Sequence, residues 1–140
     1  MNGIGSLKFV GLDSNLFIYH FENNSDFSPL TTGIFERLTR GSLKAITSII
    51  SIIETLSFPA PRHVIKNLEE AFAAIPNLSV IDVNYQIALE AAKIRRDYKI
   101  RTPDSIQLAT ALTNKVQAFV TNDGRLKKFD RLSVILLTDL

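Results

Sequence analysis

The sequence contains no cysteine and no tryptophan, and only two of its 140 residues are histidine. Without cysteine the chain forms no disulfide bond and offers no thiolate to a metal ion, which is compatible with a reducing cytoplasm. The two histidines, His20 and His63, are too few for a histidine-rich zinc site. We therefore expect any metal chemistry of this chain to rest on oxygen ligands.

Long apolar runs are also lacking. No stretch approaches the roughly 20 residues that cross a membrane, and residues 1–8 lack the cationic and apolar segments of a signal peptide. The length of 140 residues, with 46% hydrophobic and 21% charged residues, predicts one globular domain covering residues 1–140. We expect a cytoplasmic protein that does not associate with membranes.

The net charge of +2 conceals an asymmetry along the chain. Residues 93–131 contain ten Lys or Arg against four Asp, a local charge of +6, which leaves −4 for the rest. A cationic region of this kind suits a polyanionic partner. A solvated helix face would have the same composition, so charge alone leaves both interpretations open.

Segments typical of strands and of helices alternate along the chain. The predicted strands are residues 7–12, 44–48, 78–83, 118–121 and 133–138. The predicted helices are residues 14–21, 28–41, 51–58, 61–74, 84–99 and 102–112, and a basic loop or short helix follows at 125–131. This alternation predicts a three-layer α/β/α fold with a mainly parallel central sheet.

Three aspartates fall where a predicted strand ends or a predicted helix begins. Asp13 follows the first strand and Asp123 follows the fourth. Asp104 lies in the first turn of a helix that we expect to open with Thr102 as N-cap and Pro103 as first helical residue. Because parallel strands end at one edge of a sheet, all three acids can line the same rim. Each also has a simpler explanation as a cap or turn residue.

Glu54 lies in the most apolar part of the chain, residues 49–56. A carboxylate buried there without a partner would be costly. Three explanations stay open: Glu54 reaches solvent at a helix edge, forms a salt bridge, or belongs to an acidic cleft.

Carboxylates that lie close together repel one another and take up protons unless a cation neutralises them. Without cysteine or a histidine cluster, the cation that fits is Mg²⁺ or Mn²⁺. Such an ion polarises a phosphoryl group and lowers the pKa of a bound water, while the cationic region would hold a phosphate backbone. The combination predicts metal-dependent phosphodiester hydrolysis.

Four blocks of the sequence carry a more specific pattern. They are residues 10–19 (VGLDSNLFIY), Glu54 on its apolar helix, residues 102–111 (TPDSIQLATA) and residues 120–123 (VTND). In this order and at this spacing they resemble the signature blocks of PIN-domain nucleases. The resemblance covers nearly the whole chain and is greatest to the single-domain, VapC-type toxin ribonucleases of toxin–antitoxin pairs.

The resemblance implies a Mg²⁺- or Mn²⁺-dependent endoribonuclease. Its acidic quartet would be Asp13, Glu54, Asp104 and Asp123, with Asp13 and Asp104 as direct metal ligands and the other two ligating directly or through water. Supporting polar residues, which turn and cap chemistry would explain equally well, are Asn15, Thr121 and Asn122. Basic candidates for holding the RNA backbone are Arg101, Arg125, Lys127 and Lys128. His20 and His63 match no catalytic position, and we interpret both as structural.

The resemblance also implies a cognate antitoxin and a homodimer, and residues 58–75 are a plausible antitoxin-docking surface. The chain departs from the family pattern in two places. The last block continues as Gly124-Arg125-Leu126 instead of an Arg-Asp-Phe type of ending, and residues 58–76 resemble one helix where many relatives have a helical pair. Neither departure removes an acid.

Rival classes fit less well. A haloacid-dehalogenase-like phosphatase needs a second aspartate two residues after the first, where this chain has Asn15. A response-regulator receiver needs an acid pair at the end of its first strand and a lysine after its last, and neither is evident. A catalytically idle PIN-like module that only binds RNA or protein is the remaining alternative, although it has no need of four mutually repelling carboxylates.

Overall fold

The computed structural model of the protein describes residues 3–140, so the first two residues of the predicted domain lie outside the described part. Its five strands are β1 (Phe9–Leu12), β2 (Lys44–Ser48), β3 (Leu78–Ile81), β4 (Ala118–Thr121) and β5 (Val134–Leu136). They form one sheet in the order β3-β2-β1-β4-β5, and all neighbouring strands are parallel. The sheet therefore has its first strand at the centre.

Six α-helices connect these strands within residues 3–140. They are α1 (Ser14–Glu22), α2 (Ser28–Arg40), α3 (Ile50–Leu56), α4 (Arg62–Ala73), α5 (Tyr85–Tyr98) and α6 (Thr102–Thr113). Short 3-10 helices cover Gly3–Ser6, Gly124–Lys128 and Leu137–Asp139. None of these helices has both the length and the apolar character needed to span a bilayer.

Each face of the sheet has its own hydrophobic core. On one face, Val10 and Leu12 of β1 pack with side chains of α1, α2 and α4, such as Phe17 and Phe72. On the other face, Phe119 of β4 belongs to a cluster with residues of α5 and α6. Each fully buried Leu or Phe contributes roughly 1.5–3 kcal/mol. The predicted three-layer α/β/α fold is confirmed.

Gly11 allows α6 to lie close against the central strand. A Cβ atom at this position would come within 3.1 Å of the Ala111 Cβ and of the Phe119 Cδ1. Because neither neighbour is the far end of a flexible side chain, a larger residue would push α6 outward. The glycine thus fixes the helix that carries Asp104 relative to the strand that precedes Asp13.

Helices α1, α2 and α5 begin and end within one residue of their predicted bounds. Asp13 caps α1 by accepting from the Ser14 backbone N–H at 2.8 Å, and Asn84 caps α5 by accepting from the Ile87 N–H at 2.8 Å. Gly41 ends α2 in a left-handed conformation with φ of 79°. The segment predicted as one helix, residues 61–74, is the single helix α4.

Other predicted boundaries differ from the structure. Helix α6 begins one residue earlier than expected, with Arg101 as an N-cap that makes no side-chain capping bond and Thr102 as the first helical residue. The Ser105 N–H closes this turn on the Arg101 carbonyl at 2.8 Å. Pro103 tolerates the shift because first-turn positions need no N–H. Strand β5 is shorter than predicted because the chain turns into a 3-10 helix from Leu137.

Candidate active site

The candidate site lies where the order of the strands reverses. Strand β1 is flanked by β2 on one side and by β4 on the other, and Asp13 directly follows β1. Its N–H donates to the Val120 carbonyl of β4 at 3.0 Å. Open parallel sheets bind ligands at such a switch point, outside the carboxyl ends of the strands.

Asp13 is a buried carboxylate, with 4% of the residue exposed. Its Oδ1 accepts from the Ser14 N–H at 2.8 Å and its Oδ2 from the Thr121 hydroxyl at 2.6 Å. Burial, together with the smaller effect of the negative charges of Asp104 and Glu54, raises the pKa of Asp13 to about 6, although the two hydrogen bonds lower it. The ionised form of Asp13 is therefore disfavoured, and a nearby positive charge would stabilise it.

Glu54 reaches the same site from α3 while remaining exposed. Its Oε1 accepts from the Ser14 hydroxyl at 2.7 Å. Ser14 thus bridges two acids, because its N–H binds Asp13 and its hydroxyl binds Glu54. Of the three explanations for Glu54, the structure shows that it reaches solvent at a helix edge. Its charge also acts on Asp13, and its membership of an acidic metal site stays a prediction.

Asp104 projects from the first turn of α6, where the helix dipole favours a negative charge. Its side chain is 15% exposed, and its Oδ2 lies 3.1 Å from Nη2 and 3.3 Å from Nε of Arg101. This acid is therefore already paired with a cation.

Arg125 makes more hydrogen bonds to Asp123 than Arg101 makes to Asp104. Its Oδ1 accepts from the Arg125 N–H at 3.0 Å and from Nε at 2.9 Å, and its Oδ2 accepts from Nη2 at 2.7 Å. The side-chain hydrogen bond from Arg125 is the main cause that holds the pKa of Asp123 below its usual range, and the charge of Arg101 acts in the same direction.

The three supporting polar residues have separate surroundings. Thr121 contacts two of the acids, since its hydroxyl donates to Asp13 and accepts from the Asp123 N–H at 3.0 Å. Asn122 donates to the Tyr19 hydroxyl at 3.1 Å. Asn15 has a buried Oδ1 without a hydrogen-bond partner among the described residues.

A buried polar network that the sequence analysis missed connects the elements carrying the acids. The Thr47 hydroxyl donates to the Leu12 carbonyl at 2.7 Å and lies 2.6 Å from the Ser51 hydroxyl. Gln107 of α6 donates to Ser51 at 2.8 Å and accepts from the Ser48 N–H at 3.2 Å. The network joins β1, β2, α3 and α6. Its only signal in the sequence is the polar spacing of Thr47, Ser51 and Glu54.

The basic candidates divide into two groups. Arg101, Arg125 and Lys128 line a small cleft of about 80 Å³ together with Asp104. Lys127 instead donates to the Val134 carbonyl at 2.9 Å, which ties it to β5. The first group forms a cationic border beside the acids.

The ligand chemistry of the site fits a hard divalent cation, because its donors are carboxylate and hydroxyl oxygens. The raised pKa of Asp13 also favours a cation here, because a positive charge would stabilise the ionised carboxylate. As the side chains stand, however, the acidic and histidine residues within 3–140 form no group of three or more that could hold a metal ion. Two of the four acids are paired with arginines: Arg125 contacts both oxygens of Asp123, and Arg101 contacts Oδ2 of Asp104. That all four acids bind one metal site together stays a prediction.

Comparison with protein families identifies the fold family. The PIN domain model matches residues 10–132. The chain belongs to the PIN-domain family. A comparison with curated protein sequences gives no match.

Solved structures of toxin–antitoxin complexes have similar folds. VapBC2 from Rickettsia felis, bound to a DNA fragment from the promoter, matches with a TM-score of 0.73 and 17% identity, covering 91% of this chain and 98% of that one. A toxin–antitoxin complex from Klebsiella pneumoniae matches with a TM-score of 0.70 and 18% identity, covering 94% and 99%. VapBC-5 from Mycobacterium tuberculosis matches with a TM-score of 0.58 and 15% identity, covering 91% and 96%. The resemblance to PIN domains stated from the sequence is confirmed by the family match, and these structures share the fold.

Proposed function

We propose that this PIN domain is a Mg²⁺- or Mn²⁺-dependent endoribonuclease, and that it is the VapC-type toxin of a type II toxin–antitoxin system. The observation that carries the proposal is Asp13 at the switch point of a PIN fold, buried and under the negative charge of Asp104 and Glu54. A carboxylate in this position is stabilised by a divalent cation. The proposed enzyme acts in the cytoplasm as a single nuclease domain.

Asp13, Asp104 and Glu54 would hold the ion, and Asp123 would join them directly or through water. When bound, a divalent cation supplies a Lewis acid and a water molecule of lowered pKa. Ser14 and Thr121 fix both oxygens of Asp13, so its orientation does not depend on the ion. The cationic border would neutralise the phosphates of RNA.

An apolar groove beside Glu54 supports an antitoxin partner. It has a volume of about 390 Å³, and its walls come from α1, α3, α4 and the segment between α3 and α4. Apolar side chains such as Phe58 and Leu68 line the groove, and the acidic side chains of Glu22 and Glu54 lie among them. The hydroxyl of Thr55, which also lines the groove, is buried and has no hydrogen-bond partner among the described residues. This chemistry fits a segment with apolar and basic side chains. The groove includes part of the docking surface expected at residues 58–75.

The exposed face of α5 supports the proposed homodimer. Tyr85 is 79% exposed and Leu89 57% exposed, one helical turn apart, and Val83 lies beside them at 37%. An antiparallel pairing of α5 with its copy about Leu89 would cover the apolar stripe of both copies, since the same surface then faces itself, as an isologous contact requires.

The proposed activity is tested by incubating purified protein with structured RNAs in Mg²⁺, in Mn²⁺ and in EDTA. We expect cleavage with either ion, none in EDTA, and none by Asp13→Ala with Mg²⁺. The matched control is Asp26→Ala, which removes an exposed aspartate outside the site and should cleave like the wild type. Metal-dependent cleavage that survives in Asp13→Ala would contradict the assignment. RNA binding without cleavage by the wild type would favour the idle binding module instead.

A further inference from the structure

The small cleft of about 80 Å³ beside Asp104, which we call the basic cleft, is lined by four cationic side chains: Lys99, Arg101, Arg125 and Lys128. The buried residues Ile100 and Leu126 also line it. Within residues 3–140, neither Asp13 nor Glu54 takes part in its lining. The basic cleft therefore lies next to the candidate active site and is not the place where Asp13 would act.

A short helix determines which basic side chains reach the cleft from one side. Gly124–Lys128 form a 3-10 helix, in which side chains three positions apart lie on the same side. Arg125 and Lys128 have this spacing, and both line the cleft. Lys127 lies between them in the sequence and instead donates to the Val134 carbonyl at 2.9 Å.

The turn between α5 and α6 fixes the other side of the cleft. Lys99 ends α5 in a left-handed conformation with φ of 56°, and its N–H donates to the Arg95 carbonyl at 3.0 Å. The carbonyl of the buried Ile100 accepts from the Ser105 hydroxyl at 3.1 Å. The backbone that carries the basic side chains is thus held by these bonds before any ligand binds, which reduces the entropy cost of binding.

Two of the four cations have carboxylate partners, and two do not. Arg101 pairs with Asp104, and Arg125 pairs with Asp123. Lys99 and Lys128 are exposed and form no ion pair within residues 3–140. Four positive charges against the two carboxylates leave the cleft with a net charge of +2, carried by the two lysines.

The size and the donors of the basic cleft fit a single phosphate group. The cleft is far smaller than the roughly 300–1,000 Å³ of pockets that enclose a drug-sized ligand. Each guanidinium group has five N–H donors, of which Asp104 takes two from Arg101 and Asp123 takes two from Arg125. The remaining donors and the two ammonium groups can therefore bind several oxygens of one tetrahedral anion.

We propose that the basic cleft binds one phosphate group of an RNA, and that Lys99 and Lys128 are the residues whose charges bind it. This phosphate belongs either to the backbone or to an end of the RNA, and it is not the one that would react at Asp13. The proposal rests on the proposed nuclease function for the identity of the anion. It adds Lys99 to the basic residues expected from the sequence and leaves out Lys127.

The first test titrates the ¹⁵N-labelled protein with inorganic phosphate in EDTA, at constant ionic strength, and follows the amide resonances by NMR. We expect saturable shifts that are largest at residues 99–101 and 125–128. The double variant Lys99→Gln/Lys128→Gln should bind phosphate at least about fivefold more weakly than the wild type. Circular dichroism confirms that each variant is folded.

The matched control is Lys93→Gln/Lys115→Gln, which removes the same charge at two exposed lysines outside the cleft. Lys115 has a left-handed backbone with φ of 58°, close to that of Lys99, so the two double variants are also alike in backbone strain. The control should bind inorganic phosphate within about twofold of the wild type.

The second test measures binding of RNA carrying a 3′-fluorescein label by fluorescence anisotropy in EDTA, over a range of salt concentrations. Lys99→Gln/Lys128→Gln should bind about five- to tenfold more weakly than the matched control, with a salt dependence reduced by about one phosphate contact. Two RNAs of one sequence, with a 5′-phosphate or a 5′-hydroxyl, identify the source of the phosphate. Tighter binding of the phosphorylated RNA indicates an RNA end, and equal binding of both indicates the backbone.

Equal binding of inorganic phosphate, or equal binding of RNA, by the double variant and its matched control would overturn the proposal. If the wild type still cleaves RNA in that case, the nuclease function stands and only this inference fails. A wild type that neither binds nor cleaves RNA overturns both.

Discussion

The hydroxyl of Thr121 donates to Oδ2 of Asp13 at 2.6 Å and so joins the ends of two neighbouring parallel strands. The two residues are 108 positions apart in the chain, and both are buried. The same hydroxyl accepts from the N–H of Asp123. The side chain of Thr121 thus helps to position both Asp13 and Asp123.

Replacing Thr121 by valine keeps the shape of the side chain and removes both hydrogen bonds. Because a buried carboxylate oxygen is left unpaired, we expect the free energy of unfolding to fall by roughly 1–3 kcal/mol. Urea denaturation measures this change. Thr121→Ser is the control and should retain most of the stability, so an equal loss in serine and valine variants would mean that packing, not hydrogen bonding, matters here.

The raised pKa of Asp13 predicts a specific pH dependence of stability. The folded protein binds this proton up to about pH 6, whereas the unfolded chain releases it near pH 3.8. The favourable contribution is therefore complete below pH 3.8 and is lost as the pH rises through 6, a change of roughly 3 kcal/mol. Asp13→Asn lacks this titration, so its stability relative to the wild type should increase between pH 4 and pH 7.

Chemical denaturation in EDTA at pH 4 to 7.5 measures that difference, with Asp26→Asn as the control. Parallel pH profiles for wild type and Asp13→Asn would show that the pKa of Asp13 is not raised. Adding Mn²⁺ at pH 7.5 should stabilise the wild type more than Asp13→Asn, because the ion binds the folded carboxylate.

Replacing Gln107 tests whether the buried network between α3 and α6 orients the acids. Replacing it by methionine preserves length but leaves the Ser48 N–H without its acceptor and Ser51 without its donor. We expect a loss of roughly 1–3 kcal/mol in the free energy of unfolding and a lower cleavage rate, since Glu54 and Asp104 are then less well oriented. Single-turnover cleavage assays measure the rate. Gln117→Met is an amide control far from the acids, just before β4, and unchanged cleavage by both variants would contradict the positioning role.

The exposed face of α5 predicts the oligomeric state. Leu89→Glu places two like charges opposite each other in the proposed antiparallel pairing and should convert a dimer to a monomer. Light scattering coupled to size exclusion measures the mass. Lys66→Glu, on the exposed surface of α4, should leave the dimer intact. A wild type that is monomeric at all concentrations tested would contradict the pairing.

The groove beside Glu54 predicts where the antitoxin binds. Leu68→Glu introduces a charge into its apolar wall and should weaken binding of the cognate antitoxin at least about tenfold. Calorimetric titration of the purified pair measures the affinity. Glu36→Gln changes an exposed residue of α2 outside the groove and should bind normally. Equal affinities for all three proteins would exclude this groove as the docking site.

Much of the fold is predictable because its signals are local. The caps at Asp13 and Asn84, the glycine that ends α2 and the alternation of strands and helices each depend on a few neighbouring residues. These signals suffice to place Asp13 and Asp123 after parallel strands and Asp104 at a helix start. The strand ends are less well predicted, because a continuing apolar pattern does not distinguish the end of β5 from the 3-10 helix after it.

The sequence by itself determined the parallel α/β fold, the order of its elements and the edge at which the acids gather, since these follow from periodicity, caps and strand ends. Only the tertiary structure decided how the elements that carry the acids are joined. Ser14 bridges to a glutamate 40 positions away, Gln107 reaches Ser51 56 positions away, and Thr121 reaches Asp13 108 positions away. Such contacts depend on distances between folded elements and on side-chain rotamers, and no local pattern in the chain encodes either.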